Sequence, residues 1–73
     1  MKLLSRLKVG QSGVVKAVLA QGALKQRLLD MGVLPNTQIQ LIKKAPLGGP
    51  LEITLRGYTL TLRGNEAEQI ELL

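Results

Sequence analysis

The sequence predicts a mainly β fold: a small barrel of about five short strands, with one inserted α-helix and a short helical turn before the last strand. Three observations carry this expectation. Apolar and polar residues alternate with period two over residues 38–41, 51–56 and 58–63, which sets one face of each strand on a core and the other in water. A single stretch, residues 22–31, switches to the helical period. Finally, a chain of 73 residues is too short for several strands laid flat to bury both faces, whereas curling hides the apolar face and removes the edges.

Taken in order, residues 3–7 read as a short helical turn or irregular lead-in, closed by Val9 and Gly10. Gln11, Ser12 and Gly13 have turn chemistry. The β-branched Val14 and Val15 then open a first strand that runs to Leu19. In residues 22–31 the apolar Leu24, Leu28 and Met31 follow an i, i+4, i+7 spacing along one face. Lys25, Gln26 and Asp30 lie off that stripe, so the segment is an amphipathic helix. Gly32 is placed to cap it, and Pro35 with Asn36 opens a turn.

The second strand covers residues 38–41. Pro46, Gly48, Gly49 and Pro50 then interrupt the ladder. Residues 51–56 and 58–63 pair as a hairpin about Gly57. Asn65 with Glu68 three residues later matches a capping box, making 65–69 one helical turn, and residues 70–72 form the last strand. No internal repeat, low-complexity run or linker interrupts the chain, so residues 1–73 are expected to form one domain, of the SH3-like barrel type.

Composition narrows the chemistry. Hydrophobic residues make up 45% of the chain and are nearly all Leu, Ile, Val and Ala, while Tyr58 is the sole aromatic. There is no cysteine and no histidine. A domain of this size buries only about 60% of its unfolded surface, and neither a disulfide nor a Cys/His zinc site is available to reinforce it. Aliphatic packing must therefore hold the fold. No apolar run approaches the roughly 20 residues of a membrane span, and residues 1–8 carry a charged or polar group every two or three positions. The expectation is a soluble, cytoplasmic protein.

The same absences remove the commonest general base and the most reactive nucleophile. Of the acids, Asp30 ends a helix, Glu52 and Glu71 sit on the polar sides of strands, and Glu66 and Glu68 read as helix-end charges. Ser5 and Ser12 have no base nearby along the chain. The chain is thus expected to be no enzyme, with no catalytic residue, no cofactor and no metal ligands beyond carboxylates that hold a divalent ion loosely. Met31, on the helix stripe, reads as core.

Ten Lys and Arg against five Asp and Glu give a net charge of +5, which suits an acidic partner or nucleic acid. The cations are scattered, with only Lys43 and Lys44 adjacent. One aromatic residue is a poor stacking platform for single strands. Nucleic-acid binding by a small basic barrel is kept as an alternative, not as the expectation. The glycine-rich residues 47–50 lack the Lys-Ser/Thr pair of a phosphate-binding loop. They read instead as a tight connection presenting Leu47 at its tip.

Several motifs occur together in one order: Leu4-Ser5-Arg6-Leu7, Arg27-Leu28-Leu29-Asp30 followed by Gly32, Ala45-Pro46-Leu47-Gly48 followed by Pro50, and Gly57-Tyr58. This string resembles the bacterial ferrous iron transport protein A (FeoA) family over essentially the whole chain. The resemblance implies an SH3-like barrel similar to the C-terminal domain of iron-dependent repressors. It also implies an accessory role in ferrous iron uptake, by contact with the membrane permease that carries a GTPase domain (FeoB). The membrane would then be met only through the permease. Weak transition-metal binding is the second alternative. Asn36 stands where many relatives have glycine, and asparagine tolerates the left-handed conformation. With the resemblance, Arg27, Leu29, Met31, Leu47, Gly48, Gly49 and Pro50 become the candidate partner-binding residues. Exposed apolar loops also allow self-association.

Overall fold

A computed structural model describes all residues, 1–73. The elements run β1 (Lys2–Leu3), a 3-10 turn (Leu4–Arg6), β2 (Ser12–Val18), α1 (Gly22–Asp30), β3 (Gln38–Lys44), β4 (Leu51–Leu55), β5 (Tyr58–Leu62), α2 (Gly64–Ala67) and β6 (Ile70–Leu72). All the strands pair antiparallel, in the order β1-β6-β2-β3-β4-β5. The mainly β expectation with one inserted helix and a helical turn before the last strand holds. Six strands replace the expected five, because Lys2 and Leu3 pair with Leu72 and Glu71. The ring is also not sealed: β1 and β5 remain edges.

Curling comes from β2 changing partners. Its first residues, Ser12 to Val14, pair with β3, and its later ones, Val15 to Val18, pair with β6, with a register shift between Val15 and Ala17. A second shift interrupts β3 between Leu41 and Lys43. Bulges of this kind bend a strand and tighten its twist, folding the sheet over its own apolar face. The alternating side chains then converge in one cluster of 15 buried residues, among them Leu4, Val15, Leu28, Leu41, Ile53, Leu62 and Ile70.

The start of β2 differs from expectation. Ser12 and Gly13 belong to the strand, and the turn lies earlier, closed by the Gln11 N–H donating to the Lys8 carbonyl at 3.0 Å. Gly13 is small for a packing reason: a Cβ there would stand 2.8 Å from Leu72 Cδ1.

Helix α1 ends as its sequence dictates. The Gly32 N–H donates to the Leu29 carbonyl and the Val33 N–H to the Leu28 carbonyl, both at 3.0 Å, with Gly32 at φ +95°. This paired pattern satisfies the last helical carbonyls and packs Val33 against Leu28, both fully buried. Full burial of such side chains contributes about 1.5–3 kcal/mol each. Pro35 and Asn36 follow as the centre of a turn closed by Thr37 N–H to Leu34 C=O at 3.1 Å, Asn36 supplying φ +70°.

The β4–β5 turn has two residues rather than Gly57 alone. Leu55 pairs with Tyr58, and Arg56 and Gly57 both take positive φ, at +49° and +85°. That is the signature of a type I′ turn, whose twist matches the flanking strands. Arg56 is therefore turn rather than strand.

Candidate partner-binding surface

Residues 45–50 connect β3 to β4 and carry four of the expected site residues. The stem is closed by the Ala45 N–H donating to the Pro50 carbonyl at 2.9 Å, and the tip by the Gly49 N–H donating to the Pro46 carbonyl at 3.2 Å. The two central residues, Leu47 and Gly48, lie at φ +57° and +74°. Glycine, asparagine and aspartate normally fill such positions, and a leucine there is strained by roughly 1–2 kcal/mol. Its side chain gains nothing in return from the core, being fully exposed at 103%.

The loop is nevertheless pinned. Gly64, the first residue of α2, lies so close that a Cβ would fall inside contact distance of the Gly48 carbonyl oxygen. A Cβ on Gly49 would meet that of Ala45 at 2.7 Å. Leu47 is thus presented on a short, hydrogen-bonded and backed turn.

Helix α1 carries Arg27 and Leu29, and Met31 caps its C-terminal end. Arg27 is half exposed, and its Nη1 reaches Glu66 Oε2 at 2.9 Å. Glu66 is buried, and its other oxygen accepts the Arg63 backbone N–H at 2.8 Å. This corrects one expectation and extends another. The helix starts from Arg63 and Glu66, not Asn65 and Glu68, and Glu66, a first-turn charge of α2 as expected, is also buried as the partner of Arg27. Asp30 accepts from Gln26 Nε2 at 2.8 Å. The physical reason is the inward pull on Glu66. A desolvated carboxylate needs both a charge and a hydrogen bond, and α2 sits where it receives both.

Leu29 is half-buried. Met31, also half-buried, packs against the core, and its carbonyl accepts the Tyr58 hydroxyl. The seven candidates therefore fall into two groups. Leu47, Gly48, Gly49 and Pro50 share one loop, while Arg27 and Leu29 lie on α1 and Met31 caps its C-terminal end. Helix α2 joins them: Gly64 supports the loop, and Glu66 holds Arg27.

Sequence reasoning does not single out Val9, Arg6 and Lys8, which the fold brings opposite Leu47. A groove of about 580 Å³ runs between these residues and Pro46 and Leu47. A second, of about 490 Å³, is lined by Val9, Ile42, Pro50 and Leu51, and the two share Val9, Lys44 and Ala45. Lys44 stitches the walls together: its Nζ donates to the Ser5 and Leu7 carbonyls at 2.7 and 3.3 Å. Val9 is 60% exposed, and an apolar residue set between Lys8 and Gly10 in a turn is the signal that marks it. No three carboxylates converge as a metal cluster.

The FeoA domain family matches residues 2–72. The chain belongs to the FeoA family. The resemblance read from the motifs is borne out, and solved FeoA structures share the fold. The FeoA protein of Chlorobium tepidum is 40% identical with a TM-score of 0.87, the match covering 96% of this chain and 67% of that one. A FeoA of Stenotrophomonas maltophilia in complex with zinc, described as a procaryotic SH3 domain protein, is 27% identical with a TM-score of 0.88, covering 100% and 91%. A manganese-dependent transcriptional repressor aligns at a TM-score of 0.90 with 15% identity over 99% of this chain and 40% of its own, a likeness of fold alone. A curated relative, the Fe(2+) transport protein A/Fe(2+) transporter FeoB fusion protein of Porphyromonas gingivalis, is 32% identical over 69 residues. The match takes in 94% of this FeoA-family chain but spans only 8% of the relative's length.

Proposed function

We propose that residues 1–73 form one domain and that this FeoA-family chain is a cytoplasmic accessory of ferrous iron uptake that works by contact with a FeoB-type permease and not by catalysis. The observation that carries the reading is the Porphyromonas gingivalis relative, in which a matching segment is part of one chain named for both FeoA and FeoB. Covalent linkage raises the effective concentration of one module at the other, which is useful to modules that work in contact. No helix is long and apolar enough to cross a membrane, so the permease would supply the membrane part.

The contact surface is assigned to the Leu47 loop with Gly48, Gly49 and Pro50, extended across α2 to Arg27, Leu29 and Met31. An exposed leucine in a strained, pinned turn is what a docking residue requires: an apolar payload held ready, with little ordering left to do on binding.

The test is binding of the chain to its full-length permease in nanodiscs. The unaltered protein should bind, and Leu47→Asp should weaken binding at least ten-fold while leaving the melting temperature within a few degrees. No binding under conditions where the same permease transports iron would overturn the proposal.

A further inference from the structure

The grooves beside the Leu47 loop differ in charge from the rest of the molecule. The one between Val9 and Leu47 is lined by Arg6, Lys8 and Lys44 with no carboxylate, and the adjoining one adds Lys43 against a single acid, Glu52. The remaining acids are engaged or distant. Glu66 is paired with Arg27 and Glu71 with Lys16, Asp30 lies on α1 bonded to Gln26, and Glu68 follows α2. Arg6, Lys8 and Lys43 form no ion pair, and all three are exposed. The apolar residues between these cations are not satisfied either, since Val9 and Leu47 stand 60% and 103% exposed on the two sides of the groove.

We propose that these two adjoining grooves together seat an acidic protein segment carrying apolar side chains, held between Val9 and Leu47 in the first, clasped there by Arg6 and Lys8, and met by Lys43 in the second. The proposal rests on the permease reading above and names the chemistry of what the permease presents. Charge complementarity selects the occupant. A carboxylate-bearing segment finds three unpaired cations there, and its apolar side chains find Val9, Ala45 and Leu47. Two other polyanions fit less well. Single-stranded nucleic acid needs aromatic platforms, and the one aromatic, Tyr58, is the first residue of β5 with its hydroxyl bonded to the Met31 carbonyl. An anionic membrane surface would meet the exposed Leu47 but, being planar, would not fill the groove between it and Val9.

Cationic rims act mainly on encounter and on salt dependence, which defines the experiment. Binding to the permease is measured in nanodiscs of uncharged phosphatidylcholine at rising salt, comparing Lys8→Glu with Lys25→Glu, an equal charge change on the solvent face of α1. Lys8→Glu should weaken binding at least ten-fold at low salt and Lys25→Glu less than two-fold. Affinity of the unaltered chain should fall about ten-fold between 50 and 300 mM salt. Val9→Asp, at an exposed position that the fold does not need, should weaken binding as Lys8→Glu does. Equal effects of Lys8→Glu and Lys25→Glu, or binding indifferent to salt, would overturn the groove assignment while leaving the permease reading intact. Absence of binding by the unaltered chain at any salt would overturn both. Phosphatidylglycerol vesicles and a single-stranded RNA oligomer serve as the other arms. Binding to either that is lost in Lys8→Glu, with permease binding unchanged, would overturn the protein occupant.

Discussion

A leucine at φ +57° with its side chain wholly in water is stabilised by nothing in the fold. The backbone strain there is of order 1–2 kcal/mol, and asparagine relieves most of it because its short polar side chain suits the left-handed region. Leu47→Asn should therefore raise stability, by about 0.5–1 kcal/mol in urea unfolding, while weakening permease binding. A loss of stability would show that Leu47 serves the fold. The Arg27–Glu66 pair is the opposite case. Glu66 is buried, and removing its partners would leave an unpaired carboxylate in the interior, so the pair serves the fold first. Arg27 is nonetheless 51% exposed, and its outer face is still available to a partner.

At the scale of elements, the loop of residues 45–50 and helix α2 behave as one piece because Gly64 leaves no gap between them. Gly64→Ala forces a Cβ into the Gly48 carbonyl, a backbone atom that cannot rotate away. The substitution should cost about 1–3 kcal/mol, as overpacking does, and displace the loop. Amide chemical shifts of Leu47, Gly48 and Gly49 in a 15N spectrum should move while those of β2 stay in place. Unmoved loop shifts would mean that the loop is not braced by α2.

This coupling explains which parts of the molecule were legible beforehand. The period-two runs of β3, β4 and β5 and the Leu24-Leu28-Met31 stripe are local patterns, and each found its element. The exposed Leu47 loop followed from proline and glycine chemistry alone. What stayed hidden was the product of distant approach. Glu66 finds Arg27 39 residues earlier in the chain, Gly13 is small because of Leu72, and Val9 faces Leu47 only once β3 curls. Nothing in the spacing of those residues announces a partner. The two-residue β1 was equally illegible, since its partner lies at the far end of the chain.

On the scale of the whole molecule, stability rests on the buried cluster and not on the exposed groove residues. Domains are stable by roughly 0.05–0.15 kcal/mol per residue, so a chain of this length has about 4–11 kcal/mol in hand. Its core is a single aliphatic cluster with no disulfide and no large aromatic residue within it. Ile53 lies at its centre: fully buried, on β4, flanked by Leu41 of β3 and Leu60 of β5. Ile53→Ala deletes buried methyl and methylene groups in a site walled by paired strands that cannot collapse freely, and should cost about 2–5 kcal/mol. At about 4–8 °C per kcal/mol for a domain this small, the midpoint should fall by roughly 8–40 °C. Lys8→Glu and Val9→Asp, both on the surface, should leave the midpoint within a few degrees while altering permease binding. Calorimetry of the three variants separates the two roles. A shift for Val9→Asp as large as that for Ile53→Ala would place Val9 in the fold's support and remove it from the docking groove.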